Sequence, residues 1–408
     1  MRPLPVSHEE PGSRQRSSRR VEGWPAVALI GAAFMVVMLG ATLPTPLYPL
    51  YQKAFGFGDL VTTLVFAVYA AGVMASLLLV GGWSDQVGRR PMLRAGLALS
   101  GLSALVFLLA DAPGWLFAGR VLSGLSTGIF TGTATAAIMD FAPGHRKSRA
   151  SLVAAAVNTG GLGVGPVLSG VLAQYAPRPL TLCFIVDLLL VILAVLCVES
   201  VVEPVRRNKK PRLCPQRIDV PIEVRRVFVR AVVAGFSGFA VLGLFTAVSP
   251  AFLGTVLRNS DHAVTGVVVL SVFVASIVGQ SLSSVIGKQR ALTAGCAGLI
   301  AGTILVGTSL LVGSLAVLVL GAVVAGAGQG LSFHGGLGSV TGICPPDKRG
   351  AVTSSYFVAF FAGISIPVIG VGAASTAFGL VVSGTVFAAI FALVATVALL
   401  LTGRAGRR

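Results

Sequence analysis

The stretch GGWSDQVGRRP, residues 81–91, separates two long apolar runs. The run before it reads LVTTLVFAVYAAGVMASLLLV (60–80), and the run after it reads MLRAGLALSGLSALVFLLA (92–110). A helix needs about 20 apolar residues to cross the hydrocarbon core of a bilayer, and each run has about that length. An aspartate and two arginines are therefore confined to a short loop between two predicted membrane-spanning helices.

The same alternation of apolar runs and short polar gaps continues along the whole chain. Of the 408 residues, 55% are hydrophobic and 11% are charged, whereas a soluble domain is about 25% charged. The sequence therefore predicts an all-α membrane protein. We expect twelve spans, at residues 24–46, 60–82, 92–111, 115–139, 150–175, 180–199, 229–254, 263–286, 291–312, 315–342, 352–376 and 379–402.

The net charge of +17 would suit nucleic-acid binding if the basic residues formed one patch. They recur instead as short clusters in alternate gaps between the apolar runs, which is typical of cytosolic loops in membrane proteins. No nucleic-acid partner is therefore expected. The pattern predicts that both termini are cytoplasmic, and we expect the protein in the inner cell membrane of a bacterium.

The chain also repeats itself at half its length. GRVLSGLSTGIF (119–130) is matched by GAVVAGAGQGLSF (321–333), so that Gly326 and Gly330 answer Gly124 and Gly128 at 202 positions later. Such an offset predicts two pseudo-symmetric six-helix bundles. The predicted domains are a cytosolic tail (1–22), an N-terminal bundle (23–200), a cytosolic linker (201–228), a C-terminal bundle (229–403) and a second tail (404–408).

The charged loop resembles the loop-2/3 signature of the major facilitator superfamily, from which Trp83 and Gln86 depart. This resemblance implies two six-helix bundles around a central cavity, working by alternating access. It also implies that Asp85 lies against span eleven, and that Arg89 pairs with Asp85 and Asp140 to hold the inner side shut. The alternative is that these charges only fix the topology. The predicted clasp comprises Gly81, Asp85, Gly88, Arg89, Arg90 and Asp140.

Two further segments extend the resemblance. Arg120 and Gly124 match an R-x-x-x-G motif of the fourth span, whose arginine the resemblance links to proton coupling; an arginine near the outer end can also simply extend to the membrane surface. The segment NTGGLGVGPVLSG (158–170) resembles a motif of drug/proton antiporters, although Ser169 stands where a glycine is usual. The packing residues expected there are Gly161, Gly165, Pro166 and Gly170.

Ionisable side chains deep inside the spans are few. Asp187 and His334 lie within predicted spans six and ten, and either can carry a proton or act as a structural partner. Together with Arg120 they are the proton-coupling candidates. Polar residues inside spans must face protein or water, so the substrate-cavity candidates, which can also be interhelical contacts, are Tyr69, Asn158, Gln280 and Gln329.

These features favour a secondary transporter that exports small amphipathic compounds in exchange for protons. Proton-coupled uptake of a metabolite is the alternative, and a non-transporting receptor on the same scaffold is a third possibility. An enzyme or an ATP-driven pump is not expected, because IGKQR (286–290) lacks the glycine loop and hydroxyl of a nucleotide-binding motif. We expect no cofactor and no metal, a monomer, and a small-molecule substrate, protons and the lipid bilayer as partners.

Overall fold

The computed structural model describes residues 21–205, 220–247, 249–256, 261–345 and 348–403. Within these ranges twelve helices are long and apolar enough to cross a membrane, which confirms the predicted number. They are α1 (Gly23–Thr42), α2 (Asp59–Val80), α3 (Arg89–Leu108), α4 (Pro113–Phe141), α5 (Lys147–Tyr175), α6 (Pro179–Glu199), α7 (Ile222–Ala247), α8 (His262–Ile286), α9 (Lys288–Val312), α10 (Leu315–Ile343), α11 (Arg349–Phe378) and α12 (Leu380–Gly403).

Several helix ends differ from the prediction. The first α-helix ends at Thr42, and a 3₁₀ turn (Thr45–Leu47) and a short helix (Tyr48–Phe55) follow it. Prolines lack the N–H that a helix interior requires but fit a first turn, so the chain restarts there instead of continuing straight. At the other end of the linker, α7 begins at Ile222, inside the segment predicted as linker. Its first turns carry charged residues, which an apolar-run criterion cannot detect.

The predicted tails and linker lie mostly outside the described residues, since 1–20, 206–219 and 404–408 are not among them. The segment after α6 is described as far as Val205. Val21 and Val201 form a parallel bridge there, in which the Val21 N–H donates to the Ser200 carbonyl at 2.9 Å. This bridge joins the segment that precedes the first bundle to the segment that follows it, at the membrane face that carries the Asp85 loop. We call this the inner face and the opposite one the outer face.

The two bundles, α1–α6 and α7–α12, are built on equivalent contacts. A Cβ atom on Gly124 of α4 would overlap the Tyr69 carbonyl of α2, and one on Gly326 of α10 would overlap the Val272 carbonyl of α8. The next pair repeats the relation, because Gly128 lies against Ser76 of α2. Its counterpart Gly330 lies against the Ser276 carbonyl of α8. The repeat in the sequence therefore records positions where only a glycine lets two helices touch.

The bundles meet through two helix pairs, α5 with α8 and α2 with α11. Near the outer face the two bundles are in close contact, since a Cβ on Gly266 would overlap the Pro166 carbonyl and one on Gly372 would overlap the Thr63 side chain. The His262 N–H also donates to the Gln174 side chain at 3.1 Å. Toward the inner face, a cavity of about 400 Å³ separates the bundles. A cavity of about 420 Å³ also lies at the outer face, against Lys53, Thr255 and His262. The α5–α8 and α2–α11 contacts close the space between the bundles beneath it, so the conformation is closed on the outer side and open on the inner side.

Candidate functional site

A central cavity lies between the two bundles, halfway along the helices. Its volume is about 80 Å³, and it adjoins the larger inner cavity through shared wall residues that include Asn158, Thr159 and Gln280. Eight helices, α1, α2, α4, α5, α7, α8, α10 and α11, contribute side chains to it. All four substrate-cavity candidates predicted from the sequence are in its wall, namely Tyr69, Asn158, Gln280 and Gln329.

Aromatic rings form much of the cavity wall. Phe239 of α7 packs edge-on against Phe333 of α10 with ring centroids 5.6 Å apart, and Phe333 lies 6.0 Å from Phe357 of α11. On the side of the first bundle, Phe66 and Tyr69 of α2 are 6.4 Å apart. Aromatic rings in a cavity wall attract flat apolar groups by dispersion and by edge-to-face contact. The wall therefore suits an aromatic or similarly apolar molecule.

A chain of polar side chains crosses the cavity wall and joins the two bundles. The Gln280 amide of α8 donates to Thr159 of α5 at 3.1 Å and to Ser276 at 3.1 Å. Ser276 in turn donates to Gln329 of α10 at 2.5 Å. The Gln280 side-chain oxygen, although buried, has no hydrogen-bond partner among the described residues. Thr159 and Ser276 were not predicted from the sequence, because a hydroxyl group within a helix can equally well bond to the backbone of its own helix.

Arg120 of α4 is fully buried, so it does not extend to the membrane surface. Its Nε donates to the Tyr48 hydroxyl at 2.9 Å, and one terminal nitrogen donates to the Ala41 carbonyl at 2.5 Å. The guanidinium also lies 5.0 Å from the ring centroid of Tyr69 and 5.7 Å from that of Phe66. Aromatic faces and carbonyl oxygens thus surround this cation, and no carboxylate pairs with it among the described residues.

Asp187 of α6 is 3% exposed and does not line the central or the inner cavity. Its side chain lies against Gly40 of α1, where a Cβ would come within 2.9 Å of Oδ1. That oxygen has no hydrogen-bond partner within the described ranges. The absence of a side chain at Gly40 therefore makes the space that holds a buried carboxyl group.

His334 of α10 lines the inner cavity, one helical position beyond the central cavity that Phe333 lines. It is partly buried. Among the proton-coupling candidates it is thus the one that lies on the water-accessible side in this conformation. Arg120 and Asp187 lie within the first bundle, where Arg120 contacts Ala41 of α1 and Asp187 contacts the preceding residue, Gly40.

The glycines of the α5 motif divide between two partners. Gly161 and Gly165 face α1, where added Cβ atoms would overlap the Met35 and Leu39 carbonyls. Gly170 faces the second bundle, where a Cβ would overlap the His262 carbonyl, and the Pro166 carbonyl lies against Gly266. The motif therefore packs α5 tightly on both sides, within its own bundle and across the boundary.

At the inner face, Arg89 lies between the carboxylates that the sequence analysis assigned to it. It contacts Asp85 at 2.6 Å and Asp140 of α4 at 2.9 Å, and it also donates to Ser84 at 2.6 Å. Gly88, with φ of +106°, makes the turn that brings the start of α3 next to this cluster. The Asp85 side chain is 66% exposed. Its partner here is Arg89 of the same bundle rather than α11, because the inner ends of the bundles are apart.

Two glutamates complete this cluster and were not foreseen. Glu203 accepts the backbone N–H groups of Arg89 at 2.7 Å and Arg90 at 2.9 Å, which caps the N-terminus of α3. Glu199, at the end of α6, accepts from Arg90 at 2.7 Å and from Arg94 at 2.5 Å. The Val21–Val201 bridge holds this segment in place. The available signal was the two acids at the end of span six and four residues beyond it, on the same side of the membrane as the basic residues of the clasp loop.

A family model described as Major Facilitator Superfamily matches residues 30–366. The chain belongs to the Major Facilitator Superfamily. Membership in this superfamily makes it a transporter and not an enzyme, as the sequence analysis expected.

Curated relatives match a shorter part of the chain. The quinolone resistance protein NorA of Staphylococcus aureus is 27% identical over 143 residues, which are 35% of this chain and 37% of NorA. Multidrug resistance protein 2 of Bacillus subtilis is 28% identical over 144 residues, 35% of this chain and 36% of the relative. In these matches the chain covers little more than a third of the length of each relative.

Solved structures match over nearly the whole length. A bacterial homologue of the human lysosomal transporter Spinster, in an inward-facing and unoccupied conformation, has a TM-score of 0.75 at 15% identity, covering 95% of this chain and 98% of that one. A POT family transporter in complex with a thioalcohol-conjugated peptide has a TM-score of 0.76 at 12% identity, with coverage of 93% and 96%. At such identities the similarity establishes the fold.

Proposed function

We propose that this superfamily member exports small amphipathic compounds in exchange for protons. The cavity between the bundles is apolar and aromatic with a few polar groups, as small-molecule sites generally are. It opens toward the inner face, from which an exporter loads its substrate. The two relatives named for quinolone and multidrug resistance support the outward direction. We further propose a monomer in a bacterial cell membrane with both termini inside.

The observation that carries proton coupling is the Asp187 carboxyl group. It is 3% exposed and Oδ1 lacks a partner among the described residues. An unpaired carboxylate is costly to keep in an apolar interior, whereas a protonated carboxyl group is much less so. A site that holds its proton when buried and releases it when water reaches it is what a proton-driven cycle requires.

The contact with α1 gives this proton a way to act on the cavity. Asp187 touches α1 at Gly40, and Arg120 is bonded to the next residue, Ala41. The helix also contributes Met38, Ala41 and Thr42 to the cavity wall. A change of charge at Asp187 therefore acts on a helix that contacts both the buried cation and the substrate space. Opening of the outer side would then follow the loss of the α5–α8 and α2–α11 contacts.

The test is transport by everted membrane vesicles that contain the protein, with a 4-quinolone-3-carboxylic acid that keeps its ring N–H as the probe. An imposed proton gradient, acid inside, is expected to drive accumulation without ATP, and an uncoupler should abolish it. Accumulation that persists with the uncoupler would rule out proton coupling. Accumulation in right-side-out vesicles alone would establish the uptake symporter instead.

Asp187→Asn tests the residue assignment in the same vesicles. The amide cannot exchange a proton, so gradient-driven accumulation should be lost while exchange of labelled for unlabelled probe continues. Asp111→Asn is the matched control, because Asp111 is exposed between α3 and α4. Normal gradient-driven transport by Asp187→Asn, at equal protein levels, would remove Asp187 from the mechanism.

A further inference from the structure

The described walls of the central and inner cavities contain no negatively charged side chain, because the residues that line them include no aspartate and no glutamate. Among the same described wall residues, His334 is the one side chain that can become a cation. Lys288 lies close behind it, with its side chain against Gly338 of α10, itself a residue of the inner cavity wall.

A buried positive charge stands directly behind the wall of the first bundle. The Arg120 guanidinium lies 5.0 Å from the Tyr69 ring and 5.7 Å from the Phe66 ring, and both rings line the central cavity. No carboxylate pairs with Arg120 in the described part of the chain. Electrostatic interactions are strong in a water-poor interior, so this cation makes the adjacent part of the cavity favourable for negative charge.

The polar groups of the wall also determine which hydrogen-bonding groups a bound molecule must carry. The Gln280 side-chain oxygen is buried and has no donor among the described residues, while the amide nitrogen of the same side chain is used by Thr159 and Ser276. A buried acceptor without a donor is costly, and a bound molecule with an N–H or O–H group can supply one. Asn158 and the hydroxyl group of Thr127, which has no hydrogen-bond partner among the described residues, offer donors nearby for a carbonyl or carboxylate.

We infer that the cavity selects aromatic molecules that are uncharged or carry one negative charge and that bear a hydrogen-bond donor, and that it rejects permanent cations. This inference rests on the proposed export function, for which it names the substrate class. A cation in the cavity would lose its hydration without meeting a carboxylate among the described wall residues, and it would be repelled by Arg120. A neutral molecule would meet aromatic faces and free donors, and an anion would meet the free donors and the positive field of Arg120.

Three probes that share one ring system separate these cases. They are a 4-quinolone-3-carboxylic acid without a basic amine, the corresponding primary carboxamide, and an N-methylquinolinium cation of the same size. Binding to the purified protein in lipid nanodiscs is measured first, by competition with the labelled acid. The acid and the amide are expected to bind at least about ten-fold more tightly than the cation. Equal or tighter binding of the cation, or no binding of any probe, would overturn the assignment.

Transport of the same probes by everted vesicles distinguishes failure of the inference from failure of the proposed function. If the acid and the amide bind but no probe is moved, the substrate class stands as a ligand class and the export function falls. If the cation is moved as fast as the acid, export stands and the inference falls.

Gln280→Glu places a carboxylate in a wall whose described residues include none, and it is expected to reverse the preference. The N-methylquinolinium cation should gain about ten-fold in affinity and the acid should lose a similar factor. Gln280→Met is the matched control, since it removes the amide without adding charge and should not improve binding of the cation. A Gln280→Glu protein that folds, as judged by elution as a monodisperse species, and still prefers the acid would contradict the electrostatic argument.

Discussion

The carboxylate of Asp187 lies directly against Gly40, so that a Cβ on this glycine would be 2.9 Å from Oδ1 and 3.0 Å from Oδ2. The next residue along α1, Ala41, accepts a hydrogen bond from Arg120. One short segment of α1 therefore contacts the buried acid and the buried base of the first bundle. This arrangement connects the proposed proton site to the wall of the substrate cavity.

Gly40→Ala is expected to destabilise the protein by about 1–3 kcal/mol, because the added methyl group overpacks the contact with Asp187. Thermal unfolding in detergent, followed by light scattering, measures the change. Gly31→Ala on the same helix is the control, since its Cβ would lie 3.7 Å from Val157, an ordinary contact. Equal unfolding temperatures of the two variants would show that the Gly40 contact is not tight.

Arg120→Gln is expected to abolish transport and to reduce the free energy of unfolding. The shorter amide leaves the Tyr48 hydroxyl and the Ala41 carbonyl without their donor, and each buried unsatisfied group costs about 1–3 kcal/mol. Arg94→Gln serves as control, because Arg94 is half exposed and pairs with Glu199 at the inner face. An Arg120→Gln protein with wild-type transport and stability would mean that the guanidinium has no role in either.

Gly266→Val is expected to shift the protein toward a conformation that is open on the outer side. A side chain at this position collides with the Pro166 carbonyl across the bundle boundary. Spin labels at Tyr175→Cys and Thr255→Cys, both exposed near the outer face, would report a longer distance in a background without native cysteines. Gly132→Val is the control, since nothing lies within 4 Å of its Cβ position. An unchanged distance distribution in Gly266→Val would exclude the α5–α8 contact as the outer closure.

Asp85→Asn is expected to impair transport much more than folding or membrane insertion. In the inward-open conformation Asp85 is largely exposed, and such ion pairs contribute about 0–1 kcal/mol, while Arg89 keeps its contact with Asp140. The predicted role of Asp85 belongs to the state in which the inner ends of the bundles meet. Transport rates at equal surface levels, with Asp111→Asn as reference, test this. Wild-type flux in Asp85→Asn would mean that the charges of this loop only determine how the chain is oriented in the membrane.

Some features of the site followed from local sequence and others did not. Polar residues inside apolar spans, such as Gln280 and Gln329, must face protein or water, so their place in the cavity wall was predictable. The pairing of Gln280 with Thr159 was not, because it depends on which faces of α5 and α8 meet. Glu203 was equally hidden, since its role depends on a chain segment that returns to the start of α3.

By itself the sequence determined the number of spans, the two-fold repeat and the positions of the charged loop. These depend on apolar length, on glycine spacing and on charge placement, which are properties of consecutive residues. Tertiary structure alone decided that Asp187 is buried against Gly40, with Oδ1 unpartnered among the described residues. It also decided that Arg120 contacts aromatic rings and pairs with no carboxylate in the described part of the chain. Helix rotation and crossing set these contacts, and they arise from packing between helices far apart in the chain.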